Sequence, residues 1–280
     1  MIAFTPLLFV AITFTSFDKS TLSGTLSFPN RAAAVVPAVV LLGANGPEDR
    51  DERVGATAVF DRYAAALNAG GFAVFRYDNR GVGESMTATQ AQSVRRQNFI
   101  DDAAAAIAVL AQEQRIDARR IYALGLSEGA ETAMAAALAG APIRALVLVG
   151  PLSVPYAQAL RQSVAAASAD VRARVDLLQR LPYFRSYETI DPRREIAFVA
   201  QPMLAVRGER DTQTPESDFA GLVGAARAAG RRIDVLHGPH DDHFLLQLST
   251  TEEAKAPNYP LAHEVDPQVM SAIVSWLRIH

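Results

Sequence analysis

Apolar and polar positions alternate in two stretches near the start of the chain. Val10-Ala-Ile-Thr-Phe-Thr-Ser-Phe17 and Leu22-Ser-Gly-Thr-Leu-Ser-Phe28 each read as a strand. The polar Asp18-Lys-Ser-Thr21 between them reads as a turn, so the pair is expected to form an antiparallel hairpin stopped by Pro29-Asn30. The pattern then changes. Ala38-Val-Val-Leu-Leu42 is a continuous apolar run, suited to a strand covered on both faces. Further stretches read as strands are Phe72–Tyr77, Ile121–Leu124, Ala145–Val149, Met203–Arg207 and Ile233–Leu236. Between them lie stretches with helical periodicity: Ala56–Ala69, Asn98–Gln112, Ala130–Leu138, Phe219–Ala229 and the closing Pro267–Ile279.

Strands alternating with helices predict an α/β fold. Its sheet should be mostly parallel, twisted, of about eight strands, with helices on both faces and an antiparallel N-terminal edge. One segment breaks the rhythm. Pro151–Ile196 is helical and polar, with no evident strand, and it delays the next strand by a whole module. The expected organisation is therefore a core of 1–150 and 197–280 carrying a helical cap at 151–196. No internal repeat or low-complexity linker is evident.

Composition narrows the function classes. The chain has 280 residues, 50% hydrophobic and 20% charged, enough for a sizeable core without staples. A net charge of -3 gives no electrostatic footprint for nucleic acid. The absence of cysteine excludes disulfides, a thiolate nucleophile and a cysteine-based metal site. The apolar Ile2–Ile12 has neither the basic start nor the small-residue cleavage site of a signal peptide, and it is too short to span a bilayer. It reads as strand, and a cytoplasmic location is expected.

The chemistry centres on Gly125-Leu-Ser-Glu-Gly129, a G-x-S-x-G match lying between a predicted strand and a predicted helix. That context puts Ser127 on a tight turn with its hydroxyl above the sheet edge. The Glu128 N–H would open the helix, where backbone donors and the dipole favour an oxyanion. A serine nucleophile needs a base, and the base an orienting carboxylate, in the chain order Ser, Asp/Glu, His. Asp211 follows the strand Met203–Arg207, with Glu209 and Asp218 as alternatives. Among the five histidines, His240 and His243 both suit the loop after Ile233–Leu236, and spacing favours His243 only slightly. A second oxyanion donor is expected from the glycine-rich exit of the first parallel strand, at Ala44 or Asn45. Arg80, in the turn Tyr77-Asp-Asn-Arg-Gly-Val-Gly-Glu-Ser85, is expected to pair with Asp78 or with the Asp49/Asp51 loop.

Taken in order, these motifs resemble the α/β-hydrolase superfamily, and more narrowly its bacterial carboxylesterase branch related to serine aminopeptidases. Gly43-Ala-Asn-Gly-Pro-Glu-Asp-Arg-Asp51 is similar to that branch's G-S-G-P-Q-D-R-D loop. Asp78-Asn-Arg-Gly-Val-Gly-Glu-Ser85 is similar to its D-x-R-G-x-G-x-S turn. Gly125–Gly129 is similar to its G-H-S-E-G elbow, and Asp242-His-Phe-Leu-Leu-Gln247 to its N-H-L-F-Q segment. The resemblance runs from about Val10 to the C-terminus. It implies His243 as the base and Asn45 as the oxyanion amide. Leu126, Ala130 and Ala44 depart from the pattern without removing a catalytic group.

The implied activity is hydrolysis of small to medium carboxylic esters through a Ser127–His243–Asp211 triad and an acyl-enzyme. Asn45 and Glu128 supply the oxyanion hole. Ala44, Tyr156, Tyr183 and Phe184 are candidates for the substrate pocket. No cofactor and no metal are expected. The partner is a small-molecule ester, with no nucleic acid or membrane, and the chain is expected to be a monomer or homodimer. Three rivals stand beside this. One is an aminopeptidase using the same triad, with Glu188 or Asp191 meeting a substrate ammonium. Another is a thioesterase or lactone hydrolase. The third is a non-enzymatic binding protein on the same fold.

Overall fold

Successive residues of strand β3 (Val36–Leu42) enter two different cores. Ala38, Val40 and Leu42 pack on one side of the sheet, Val39 and Leu41 on the other. The two-residue period of a strand makes this split automatic, and it explains why the run is apolar throughout. The computed structural model describes residues 8–30, 35–44, 46, 48–86, 93–165, 168–250 and 262–280, with the side chains at 157 and 163 left aside.

The sheet has eight strands in the order β1 (Leu8–Thr15), β2 (Thr21–Phe28), β6 (Ala73–Tyr77), β3, β7 (Ile116–Leu126), β8 (Leu146–Val149), β9 (Met203–Gly208) and β10 (Ile233–Gly238). β1 pairs antiparallel with β2, and β2 antiparallel with β6. From β6 onward every pairing is parallel. The mixed sheet with an antiparallel N-terminal edge is thus as the sequence pattern predicts. A separate two-stranded ribbon pairs β4 (Arg53–Val54) with β5 (Thr57–Ala58).

Helices α2 (Arg96–Gln112), α3 (Glu128–Leu138) and α8 (Glu216–Ala228) cover one face, with Ile107, Met134 and Leu222 in its core. Helices α1 (Val59–Ala69) and α9 (Pro267–Ile279) cover the other, with Tyr63 and Trp276. Between β8 and β9 come α4 (Tyr156–Ser163), α5 (Ala169–Leu178), α6 (Pro182–Arg185) and α7 (Pro192–Ile196). No helix among the described residues is long and apolar enough to cross a membrane.

Several boundaries differ from the sequence pattern, two of them for a plain reason. Thr57-Ala58 belongs to β5 rather than to α1, because it pairs with Arg53-Val54. β7 starts at Ile116 rather than Ile121, because Ile116 bridges Val36 across a register shift. Its polar Asp117–Arg120 stretch hides this strand from a periodicity argument. The parallel strands share one carboxyl edge, and the loops leaving it build the site.

Candidate active site

β7 runs into α3 through Ser127, which takes φ 55° and ψ −119°. A non-glycine residue there is strained by roughly 1–3 kcal/mol. The turn is held by Ser127 N–H donating to Val149 O at 2.9 Å and by Ala130 N–H donating to Ser127 O at 3.0 Å. Gly129 is required by close approach. A Cβ there would lie 2.0 Å from Leu42 O and 2.7 Å from Gly43 O, both fixed backbone. The elbow therefore presses directly on the exit of β3. Glu128 is the first residue of α3, at the end where helix N–H groups lack an intrahelical acceptor.

Asp211 lies in the turn after β9 and is almost wholly buried. Its Oδ1 accepts the Gln213 and Thr214 N–H groups at 2.7 and 2.8 Å, leaving Oδ2 to meet His243 Nδ1 at 2.9 Å. Burial pushes the Asp211 carboxyl up, but His243 and the two amides more than offset it and hold it below its ordinary value. Burial likewise pushes His243 down, yet the Asp211 charge and hydrogen bond raise it above the ordinary imidazole value. The histidine loop is braced locally. Asp242 Oδ1 accepts the N–H groups of Phe244 and Leu246 at 2.8 and 2.9 Å, and Tyr63 Oη donates to Phe244 O at 2.9 Å. The imidazole rests on Gly150, where a Cβ would come within 2.7 Å of Cε1.

Ser127 and His243 line one cavity of about 400 Å³, together with Ala44, Glu48, Glu52 and Gln213. His243 Nε2 is buried and makes no hydrogen bond to any described residue, Ser127 included. Of the other histidines, His240 is exposed, and His237 lies edge-on to Phe219. Asp211, not Glu209 or Asp218, carries the histidine contact.

The remaining predicted residues divide. Ala44 reaches the cavity, but its N–H donates to Glu52 Oε1 at 3.3 Å. Asn45 lies outside the described residues. Tyr156, Tyr183 and Phe184 gather in an aromatic cluster with Tyr187, and the Tyr183 hydroxyl donates to the Glu128 carboxylate. Asp191 caps α7 by accepting the Arg193 N–H at 3.0 Å, and Glu188 is exposed.

The expectation for Arg80 is corrected. Its guanidinium holds Asp102 (2.6 Å from Nη2 to Oδ1) and Asp18, neither of them in the predicted loop. Asp78 is taken by Arg50 at 2.6 Å, and Asp51 by Arg76 and Arg53. The carboxylate partners of Arg80 sit 22 and 62 residues away, beyond any local spacing argument.

Sequence reasoning missed two groups. The buried carboxyl of Glu52 stands one residue past the quoted motif loop and gave no signal. The Glu128 side chain was overlooked because only its amide suggested chemistry.

The sequence profile described as serine aminopeptidase, S33, matches residues 54–194. The chain is 28% identical to esterase EstD of Thermotoga maritima over 91% of its own length, and it spans 65% of the length of that protein. Among solved structures, an esterase of Pyrococcus furiosus matches with a TM-score of 0.69 at 15% identity, covering 98% of this chain and 91% of that one. The α/β hydrolase GrgF from Penicillium sp. sh18 matches with a TM-score of 0.68 at 17% identity, covering 98% of this chain and 99% of that one. The profile match takes in half of the chain, including the elbow, and the fold agrees with it: this chain belongs to the S33 serine aminopeptidase family of α/β hydrolases.

Proposed function

We propose that the chain is a serine carboxylic-ester hydrolase acting on small to medium acyl esters. The carrying observation is that His243, held by Asp211 at 2.9 Å, lines the same cavity as Ser127. His243 Nδ1 is tied to Asp211, so its Nε2 is the nitrogen left for a proton from Ser127 Oγ. A serine–histidine hydrogen bond that is open without substrate and tightens in the complex suits such a site. The hydroxyl attacks the ester carbonyl carbon and its proton passes to Nε2. The Glu128 amide, with that of Asn45 as the family resemblance implies, holds the oxyanion. Collapse expels the alcohol, which takes the proton from His243. Water, deprotonated by the same nitrogen, then releases the acid and free Ser127. The similarity to esterase EstD supports ester over peptide.

On this reading 151–196 is a helical cap on the hydrolase core of 1–150 and 197–280. Tyr183, bonded to Glu128, ties α6 to the residue beside the nucleophile. Tyr156 and Phe184 stack on one another at 5.7 Å and form the cap's inner packing.

A second reading, aminopeptidase action, draws on the half-buried Glu48 in the cavity, a place for a substrate ammonium. Hydrolysis of p-nitrophenyl acetate against aminoacyl p-nitroanilides separates the two. Faster anilide turnover overturns the ester assignment. A fluorophosphonate should label Ser127 in the wild type and nothing in Ser127→Ala.

A further inference from the structure

Glu52 lines the cavity that holds Ser127 and His243, yet the proposed chemistry gives it no role. It is 4% exposed, an unusual setting for a carboxyl group. Its backbone is tightly specified. Glu52 takes φ 47°, its N–H donates to Asp49 O at 3.1 Å, and its carbonyl accepts the Val59 N–H at 3.4 Å. The turn and the β4–β5 ribbon together throw the side chain back across the exit of β3.

There the carboxyl meets the loop on which the second oxyanion donor is expected. Oε1 accepts the Ala44 N–H at 3.3 Å. Oε2 is buried and has no hydrogen-bond partner among the described residues. A Cβ on Gly43 would lie 2.0 Å from Oε2 and 3.1 Å from Cδ, so the carboxyl occupies the space a side chain at 43 would need. From the other side, Asn79 Nδ2 donates to Ala44 O at 2.8 Å and Gly46 O at 3.2 Å. Residue 44 is thus gripped through its N–H by Glu52 and through its carbonyl by Asn79. With its N–H engaged by Glu52, Ala44 is also withdrawn as an oxyanion donor.

We propose that Glu52 is a positioning residue for ester hydrolysis, its carboxyl clamping the Ala44 amide so that the loop leaving β3 stays in register with Ser127. This rests on the ester-hydrolase reading above. The clamp has a protonation state to match. Burial, reinforced by Glu48, pushes the Glu52 carboxyl up to about 8, against the pull of the Ala44 N–H. The charged and titratable groups around it are Glu48 and Asp49 on its own loop, the adjacent Arg53 on β4, Tyr63 on α1, and His243 in the lining of the same cavity. At neutral pH the neutral carboxyl holds the loop without setting a negative charge beside the oxyanion. Ionisation at higher pH sets one there and opposes the transition state.

The test is steady-state hydrolysis of p-nitrophenyl acetate by wild type, Glu52→Ala and Glu52→Gln across pH 6–10, with fluorophosphonate labelling in parallel. Glu52→Ala should lose roughly 10- to 100-fold in kcat with KM within about twofold, the mark of a displaced loop rather than lost substrate contact. Glu52→Gln keeps a neutral acceptor of the same shape. It should recover most of kcat at pH 7 and should lack the fall in kcat that the wild type shows as pH rises through about 8. Wild-type kcat in Glu52→Ala overturns the proposal. So does an unchanged alkaline limb in Glu52→Gln, which folds even where the alanine variant does not. A wild type that resists labelling overturns the hydrolase reading and this proposal with it. Normal labelling with an inert Glu52→Ala substitution overturns this proposal alone.

Discussion

Strands β7 and β9 deliver Ser127 and Asp211 from backbone buried on both faces, and the His243 loop is tied down by Asp242 and Tyr63. The helices between β8 and β9 are anchored differently. Along α4–α7, Val175, Tyr187, Pro192 and Ile196 are buried, while Leu177, Leu178 and Leu181 stand exposed. Contacts that hold this region to the core include the Tyr183 hydroxyl on Glu128, Phe99 edge-on to Tyr183, the Arg96 N–H on Ser186 Oγ at 2.9 Å, Arg96 on Glu195 at 2.6 Å, and Ile196 in the core cluster. Dense packing fixes geometry to fractions of an ångström, as the proposed acyl transfer needs. With three leucines exposed, the other region should tolerate substitution more readily than the strands do.

Substitutions at the strand ends should therefore abolish chemistry or destabilise the fold, while those in the helices should tune selectivity. The largest effect is expected for Ser127→Ala, which should lose roughly 10⁶-fold in turnover of a short aryl ester. Its circular dichroism and melting temperature should match those of the wild type, because alanine keeps the same backbone strain and only a hydroxyl is removed. Loss of fold instead of activity would make the elbow structural.

Asp211→Asn should follow, with a loss of roughly 10³- to 10⁴-fold. The sign of its pH effect is also fixed. The base works only when neutral, and His243 in the wild type is raised above the ordinary imidazole value. Activity should thus fall with falling pH through that raised value, and the acid limb of kcat/KM should move to lower pH once the Asp211 charge is gone. A limb that stays in place would detach Asp211 from the base.

Gly129→Ala probes packing rather than chemistry. Its Cβ meets the carbonyls of Leu42 and Gly43, so urea unfolding should show a loss of about 1–3 kcal/mol. The smallest effect belongs to the helices. Tyr183→Phe removes the hydroxyl from Glu128 and should lower stability by about 1 kcal/mol while shifting the preference among acetyl, butyryl and hexanoyl esters. An unchanged acyl profile would confine the aromatic cluster to packing and sharpen the contrast between the two regions.

Much of this was legible in the sequence, for physical reasons. Strands covered on both faces are apolar at nearly every position, so the runs at Ala38–Leu42 and Ala145–Val149 announce themselves. The strand–Gly-x-Ser-x-Gly–helix turn is equally local, because the geometry that exposes Ser127 also forbids a side chain at 129. The order Ser, Asp, His follows from the order of strands along the edge. Polar residues in buried places were the blind spot. Glu131 has no solvent exposure, and neither of its carboxylate oxygens has a hydrogen-bond partner among the described residues, yet by type it reads as a surface residue of α3.

The sequence by itself determined the sheet, its helices and the chemical identity of the groups at its carboxyl edge, since burial pattern and turn chemistry act over a few residues. It left His240 and His243 nearly level until the family resemblance separated them. The tertiary structure decided what distance along the chain conceals. Asp211 met His243 across 32 residues, Arg80 chose Asp102 over Asp78, and Glu52 folded back onto the loop beside Ser127. Ion pairs and hydrogen bonds are made between whichever groups folding brings within about 3 Å, and only the packed fold fixes those distances.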